Sequence, residues 1–173
     1  EFAYQGPLLE FIGESVLVAI SGKVNFNIIN KKGEIKKGNS NQSFVISNKE
    51  KIDILSTVDS VYGYFAISGG FKLKYFNESV STLVKAKIGP NDGDKLNIGD
   101  KIYIKKSNLL NEKKIIQFNF GGNNTIRVMK GLQFNYFSKN SQEEFFSREF
   151  EVTRLTDRMG MRLEGQKLEN LIS

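Results

Sequence analysis

The sequence predicts a mainly β fold, and three observations carry that prediction. Short runs rich in Val, Ile, Phe and Tyr recur along most of the 173 residues, the composition that packs well on a pleated surface. Gly, Asn and Asp punctuate those runs, as in NKKGE, GPNDGD and FGGNNT, supplying the positive-φ positions that tight turns need. Helix signals are few and short.

In chain order, LLEFIG (8–13), SVLVAIS (15–21) and VNFNII (24–29) read as strands separated by Gly or polar residues. SFVIS (43–47), KIDILST (51–57), YGYFAIS (62–68) and FKLKYF (71–76) follow at short spacing. FKLKYF has the cleanest alternation, with Phe71, Leu73 and Tyr75 on one face and Lys72, Lys74 and Phe76 on the other. SVSTLVKAK (79–87) fits a helical turn or a strand, because its β-branched residues and short length leave both open. KIYI (101–104), IIQFNF (115–120) and TIRVMKG (125–131) complete the strands. Ser141 and Glu144 form a capping box ahead of a helix over 142–147, with Phe145 and Phe146 toward the core. The tail GQKLENLIS reads as weakly helical. No internal repeat or low-complexity linker interrupts the chain, so the expectation is one compact domain.

Composition narrows the chemistry. The chain has no Cys and no His, which excludes disulfides, thiol chemistry, the Ser-His-Asp triad and most zinc sites. Chemistry must come from carboxylates, Lys, Arg, hydroxyls and backbone amides, or from a partner. Neither a secretory leader nor an apolar run long enough to span a bilayer is visible. The net charge of +6 and pI near 9.4 raise nucleic-acid binding by stacking strands, FKLKYF being the one stretch suited to it. The lysines, however, fall as scattered pairs beside turns (Lys31 and Lys32, Lys36 and Lys37, Lys105 and Lys106, Lys113 and Lys114), the pattern of solvated strand ends. The expectation is no nucleic acid, no membrane and no metal.

Arginine is distributed differently. Of five arginines against 20 lysines, Arg154, Arg158 and Arg162 lie in the window RLTDRMGMRLEG (154–165). On a helix they would share one solvated face, partly offset by Asp157 and Glu164. Gly160 and Gly165 weaken a helix, and MGM suits a bend. A turn that gathers guanidinium groups would bind a carboxylate or phosphate through planar, bidentate donors.

Within this window, TDRMGMRLEG (156–165) resembles the signature Ser-Asp-Arg-Met-Gly-Tyr-Arg-Leu-Glu-Gly of the biotin-dependent carboxyltransferase family, with Thr156 and Met161 substituted. That family includes the C subunit of 5-oxoprolinase, the second subunit of allophanate hydrolase and the carboxyltransferase region of urea amidolyase. YFAISGGF (64–71) resembles the family's Tyr-Leu-Ala-Val-x-Gly-Gly-Phe, and ESVSTLVKAKIG (78–89) its Gly-Ser-Arg-Ser-Thr run. GDKLNIGDKI (93–102) and RVMKGLQFNYF (127–137) resemble the segments that follow, so the resemblance covers nearly the whole chain. The departures are Glu78 for Gly, Val80 and Asp94 for Arg, Pro90 for Gly and Leu132 for Pro.

The resemblance implies a cyclophilin-like β-barrel with one or two short helices, a single carboxyltransferase-family domain over 1–173 and a fragment of a longer family polypeptide. It implies a cytoplasmic subunit of an ATP-dependent amide-processing enzyme, foremost 5-oxoprolinase, which opens 5-oxoproline to glutamate. The partner would be a sister subunit of related fold, the substrate a small amide or lactam, and the isolated chain inactive. ATP is used by the complex and need not bind this chain; biotin enters if the chain is a urea- or allophanate-type carboxyltransferase. A non-catalytic regulatory binding subunit is the other alternative. For the residues, the resemblance implies that Arg158 and Arg162 bind a carboxylate or phosphate. Asp157 orients Arg158, acts as acid or base, or merely caps the turn. Glu164 positions an arginine or forms a structural ion pair. Ser79, Ser81 and Thr82 offer hydroxyl and amide donors. Gly69 and Gly70 admit a ligand or make an ordinary hairpin turn. Arg127 bridges to the window or lies on the surface, and Met159 and Met161 are packing residues.

Overall fold

The computed structural model describes residues 1–107, 114–117, 125–157, 160–165 and 167–171, with the backbone alone of Thr156 and Asp157. The chain divides into two compact units, Glu1–Phe120 and Gly121–Ser173.

The first unit is the β-rich one. Its strands are β1 (Phe2–Ala3), β2 (Leu8–Glu10), β3 (Val16–Ser21), β4 (Val24–Ile29), β5 (Ile35–Lys37), β6 (Ser43–Ile46), β7 (Lys51–Thr57) and β8 (Tyr62–Ile67). They pair antiparallel into two four-stranded sheets, ordered β1-β8-β3-β6 and β2-β7-β4-β5. Alternation decides which side of each strand is dry. In β3, Val16, Val18 and Ile20 are buried, in β4 Val24 and Phe26, and in β7 Ile52 and Ile54. With Phe11 and Ile46 these residues of both sheets form one cluster, the two-layer solution for sheets with one apolar face each. Phe26 of β4 stacks on Phe44 of β6 with ring centroids 5.6 Å apart. Gly38 is required beside them, because a Cβ there would sit 2.0 Å from the Phe26 ring.

The second unit holds helix α1 (Lys139–Ser147) and a hairpin of β9 (Glu151–Asp157) and β10 (Gly160–Glu164). Hence the mainly β expectation holds, with one α-helix among the described residues.

Several element readings are corrected. The helix starts earlier than 142, and its N-cap is Ser138, whose hydroxyl accepts from the Ser141 N–H at 3.2 Å. Ser138 and Ser141 repeat the same three-residue spacing one turn upstream. Ser141 is instead buried and accepts from the Glu169 N–H at 2.7 Å. Glu144 faces Asn140 and Arg148 rather than the cap. Phe145 and Phe146 lie in a partly exposed ring cluster with Phe134 and Phe150, not in the core. FKLKYF makes isolated bridges at Phe71 and Phe76 only, KIYI one at Ile104, and Ile115 bridges Gln42 while residues 118–120 lie outside the described ones. Residues 125–131 form no strand, and the described tail residues 167–171 form no helix. In FKLKYF, KIYI and TIRVMKG the apolar run lacks the continuous neighbour that would turn alternation into a ladder. The ambiguous 79–87 run contains a 3₁₀ turn at Val84–Ala86.

Candidate functional site

The arginine window is neither a helix face nor a simple turn: it is the β9–β10 hairpin. Gly160 pairs with Asp157, Met161 with Thr156, Leu163 with Val152 and Glu164 with Glu151. Between the middle pairs the register shifts, so that Thr153, Arg154 and Leu155 on β9 stand opposite Arg162 alone on β10. This bulge brings Arg154 and Arg162 to the same level of the hairpin. Bulges re-aim side chains and are common beside active sites. Both arginines are exposed. Among the described residues, no hydrogen bond or ion pair engages the side chains of Arg127, Arg154, Arg162 or Glu164. An exposed guanidinium without an internal carboxylate keeps its five donors for an external anion. Arg158 lies outside the described residues, and Asp157 is placed by its backbone only, as the last residue of β9. Arg127 sits in the irregular segment before α1, exposed.

The remaining candidates belong to the first unit. Gly69 and Gly70 follow β8, both with positive φ (80° and 76°). The close approach at Gly69 is to the chain itself, since a Cβ there would lie 2.8 Å from the Lys105 carbonyl oxygen. Gly70 donates to the Ile67 carbonyl at 3.0 Å and accepts from the Lys105 N–H at 2.9 Å. Open space faces its α-carbon, so Gly70 is the one of the pair with room beside it.

Ser79, Ser81 and Thr82 lie in a loop that folds on itself. Phe76 and Ser79 exchange backbone hydrogen bonds of 2.8 and 2.9 Å, closing a two-residue turn at Asn77 and Glu78, both with positive φ (44° and 62°). A residue at that conformation is most relaxed as Gly, which accounts physically for the Gly that Glu78 replaces. The Ser79 hydroxyl accepts from the Ser81 N–H at 3.1 Å, and the Thr82 hydroxyl donates toward the Pro90 carbonyl at 3.5 Å. Leu83 bridges Ile88 across the 3₁₀ turn. Asn91, Asp92 and Gly93 are all left-handed, with φ of 55°, 52° and 71°. Gly89 and Gly93 allow close backbone approaches that no side chain would tolerate: a Cβ would lie 2.3 Å from the Ser81 carbonyl oxygen at the first and 2.1 Å from the Lys87 carbonyl carbon at the second.

A feature the sequence reading missed sits here. Lys87 Nζ lies 2.6 Å from Asp94 Oδ2. The Lys87 hydrogen bond, then the Lys95 backbone N–H, hold the Asp94 carboxyl below the usual carboxylate range. The only signal was the departure at Asp94 itself, because two residues seven apart become neighbours only through the left-handed turn between them.

Two surface depressions of the first unit are lined elsewhere, one by Asn25, Phe26, Asn27, Lys37, Leu55 and Ser56, the other by the turns around Glu14, Lys31 and Asn48. Neither contains a candidate residue. Among the described residues no cluster of three acidic groups is placed to hold a metal, and no helix is long and apolar enough to cross a membrane.

Comparison with known proteins matches the model of the family described as "Carboxyltransferase domain, subdomain A and B" over residues 1–173. The chain is 31% identical over 109 residues to the 5-oxoprolinase C subunit of Haemophilus influenzae, covering 63% of this chain and 35% of that protein. It is 32% identical over 108 residues to the Escherichia coli protein of the same name, covering 61% and 34% respectively. The chain thus matches about a third of the length of these curated relatives. Among solved structures, the K. lactis urea amidolyase superposes with a TM-score of 0.74 at 19% identity, over 98% of this chain and 11% of that one. That likeness is one of fold.

Proposed function

The chain belongs to the carboxyltransferase domain family, subdomain A and B, and on that premise we propose that it forms part of a 5-oxoprolinase-type enzyme, acting with a sister subunit. Two relatives named as C subunits of 5-oxoprolinase support this reading. The observation that carries it is the hairpin bearing the family signature, on which Arg162 stands beside Arg154 without an internal counter-ion.

The reaction opens a small lactam. Water adds to the carbonyl carbon, the ring C–N bond breaks and the nitrogen takes up a proton. Negative charge develops on the carbonyl oxygen during addition, and the substrate carries a carboxylate throughout. Arg158 and Arg162 supply fixed, permanently charged donors to these anionic groups, the type of preorganised stabilisation that most lowers such barriers. Asp157 orients Arg158 or passes the proton, and Glu164 positions an arginine. The hydroxyls of Ser79 and Ser81 offer neutral donors, the Thr82 hydroxyl oxygen can accept beside its bond to the Pro90 carbonyl, and Gly70 leaves room beside its backbone. ATP is consumed by the complex. No step is assigned to ATP on this chain. Biotin enters only if the complex transfers a carboxyl group. The enzyme is a cytoplasmic heteromer in this reading.

The test is reconstitution. With the sister subunits and ATP, 5-oxoproline-dependent ATP hydrolysis should appear only when this chain is added. A stable complex that never turns over would favour a regulatory subunit, the reading to which the replaced arginines at Val80 and Asp94 point.

A further inference from the structure

The loop from Glu78 to Lys95 carries three acidic residues (Glu78, Asp92, Asp94) and three basic ones (Lys85, Lys87, Lys95), so its formal charge is zero. Its cation Lys87 is already joined to Asp94 at 2.6 Å. The Gly89 and Gly93 contacts bind the hydroxyl run and this ion pair into one folded loop, with Gly89 on Ser81 and Gly93 on Lys87. What the loop offers a ligand is therefore neutral: the Ser81 hydroxyl, the Ser79 hydroxyl proton left by its bond from the Ser81 N–H, and the Thr82 hydroxyl lone pairs left by its bond to Pro90, able to donate and accept toward an amide C=O and N–H. An anion entering here would meet no uncompensated attraction from Lys87, and the Asp94 carboxylate would face it as well.

We infer that this loop receives the uncharged amide face of a ligand and disfavours a carboxylate, with Asp94 as the residue that sets this preference by neutralising Lys87. The inference rests on the proposal that the loop belongs to a lactam-processing site. It deepens that proposal by dividing the ligand: the neutral ring amide belongs to the loop, and the carboxylate must be met by cations elsewhere.

The experiment is a titration of the ¹⁵N-labelled chain with two probes, 2-pyrrolidinone, a neutral lactam, and 5-oxoproline, the same ring bearing a carboxylate. The neutral probe should shift backbone resonances of 79–94, and the carboxylated one should bind there more weakly. Asp94→Asn uncovers Lys87 and should raise the affinity of the loop for 5-oxoproline about threefold to tenfold at low salt, the scale of one surface charge at contact distance. The gain should shrink as ionic strength rises, and the double variant Asp94→Asn with Lys87→Gln should lose it. Equal binding of both probes to the wild-type loop, or no gain in Asp94→Asn, would overturn the inference. Turnover by the reconstituted complex without lactam binding at this loop also overturns it and leaves the enzyme reading standing. Charge-selective loop binding without turnover does the reverse.

Discussion

At the scale of single residues, the loop at 76–95 shows where a side chain works against its backbone. Glu78 occupies the second position of a two-residue turn with φ of 62°, a conformation that costs an L-residue about 1 kcal/mol or more relative to Gly. Glu78→Gly should therefore stabilise the chain by up to about 1 kcal/mol in urea unfolding, the looser unfolded chain taking back part of the gain. A loss of stability would show that the Glu78 side chain makes a compensating contact. Asp94 gives a second prediction, with a definite sign. Its carboxyl is held low by Lys87. The pair's contribution is therefore complete above the ordinary Asp value of about 3.9 and fades as the pH falls through the lowered one. An NMR titration should show Asp94 protonating below the ordinary Asp range, and returning toward that range in Lys87→Gln. Neither fact was legible in the sequence, since φ at Glu78 and the proximity of Lys87 to Asp94 both depend on turns that residue type alone does not fix.

At the scale of elements, legibility follows burial. The runs at 15–21, 24–29, 43–47, 51–57 and 62–68 were readable because each packs alternate apolar residues, buried or partly buried, against the one core cluster, and that packing is what creates the pattern. β5 and β9–β10 were not foreseen as strands. β5 is three exposed residues, β9 is mostly polar, and β10 alternates only Met161 and Leu163 and buries neither, a pattern too short to read as a strand. Of the bend read at MGM, Gly160 and Met161 are strand residues of β10, and Met159 lies outside the described residues. The helix was readable, but its start was misread because two serines three apart compete for the cap. Ser138→Ala should cost about 1 kcal/mol, the usual worth of an N-cap hydroxyl, measured as lost stability of the helix by circular dichroism during unfolding. A neutral Ser138→Ala would return the cap to Ser141.

At the scale of the whole molecule, family and fold were legible because the signature and the segments before it keep their order along the chain, and the family model spans all 173 residues. The candidate site was legible as a set of residue types and not as an arrangement. Gly69, Ser79, Ser81 and Thr82 are engaged in the first unit's own backbone, while Arg127, Arg162 and Glu164 stand in the second without internal partners among the described residues. This contrast makes the arginines of the hairpin the strongest candidates for contact with an anionic substrate. The most direct measurement is 5-oxoproline-dependent ATP hydrolysis by the reconstituted complex carrying Arg158→Ala or Arg162→Ala, with co-purification confirming assembly. We predict that each variant assembles normally and loses about a hundredfold or more in kcat/KM, the scale of removing one preorganised charged donor. Near wild-type turnover in both variants would contradict the account, because the hairpin that bears the family signature would then lie outside the chemistry.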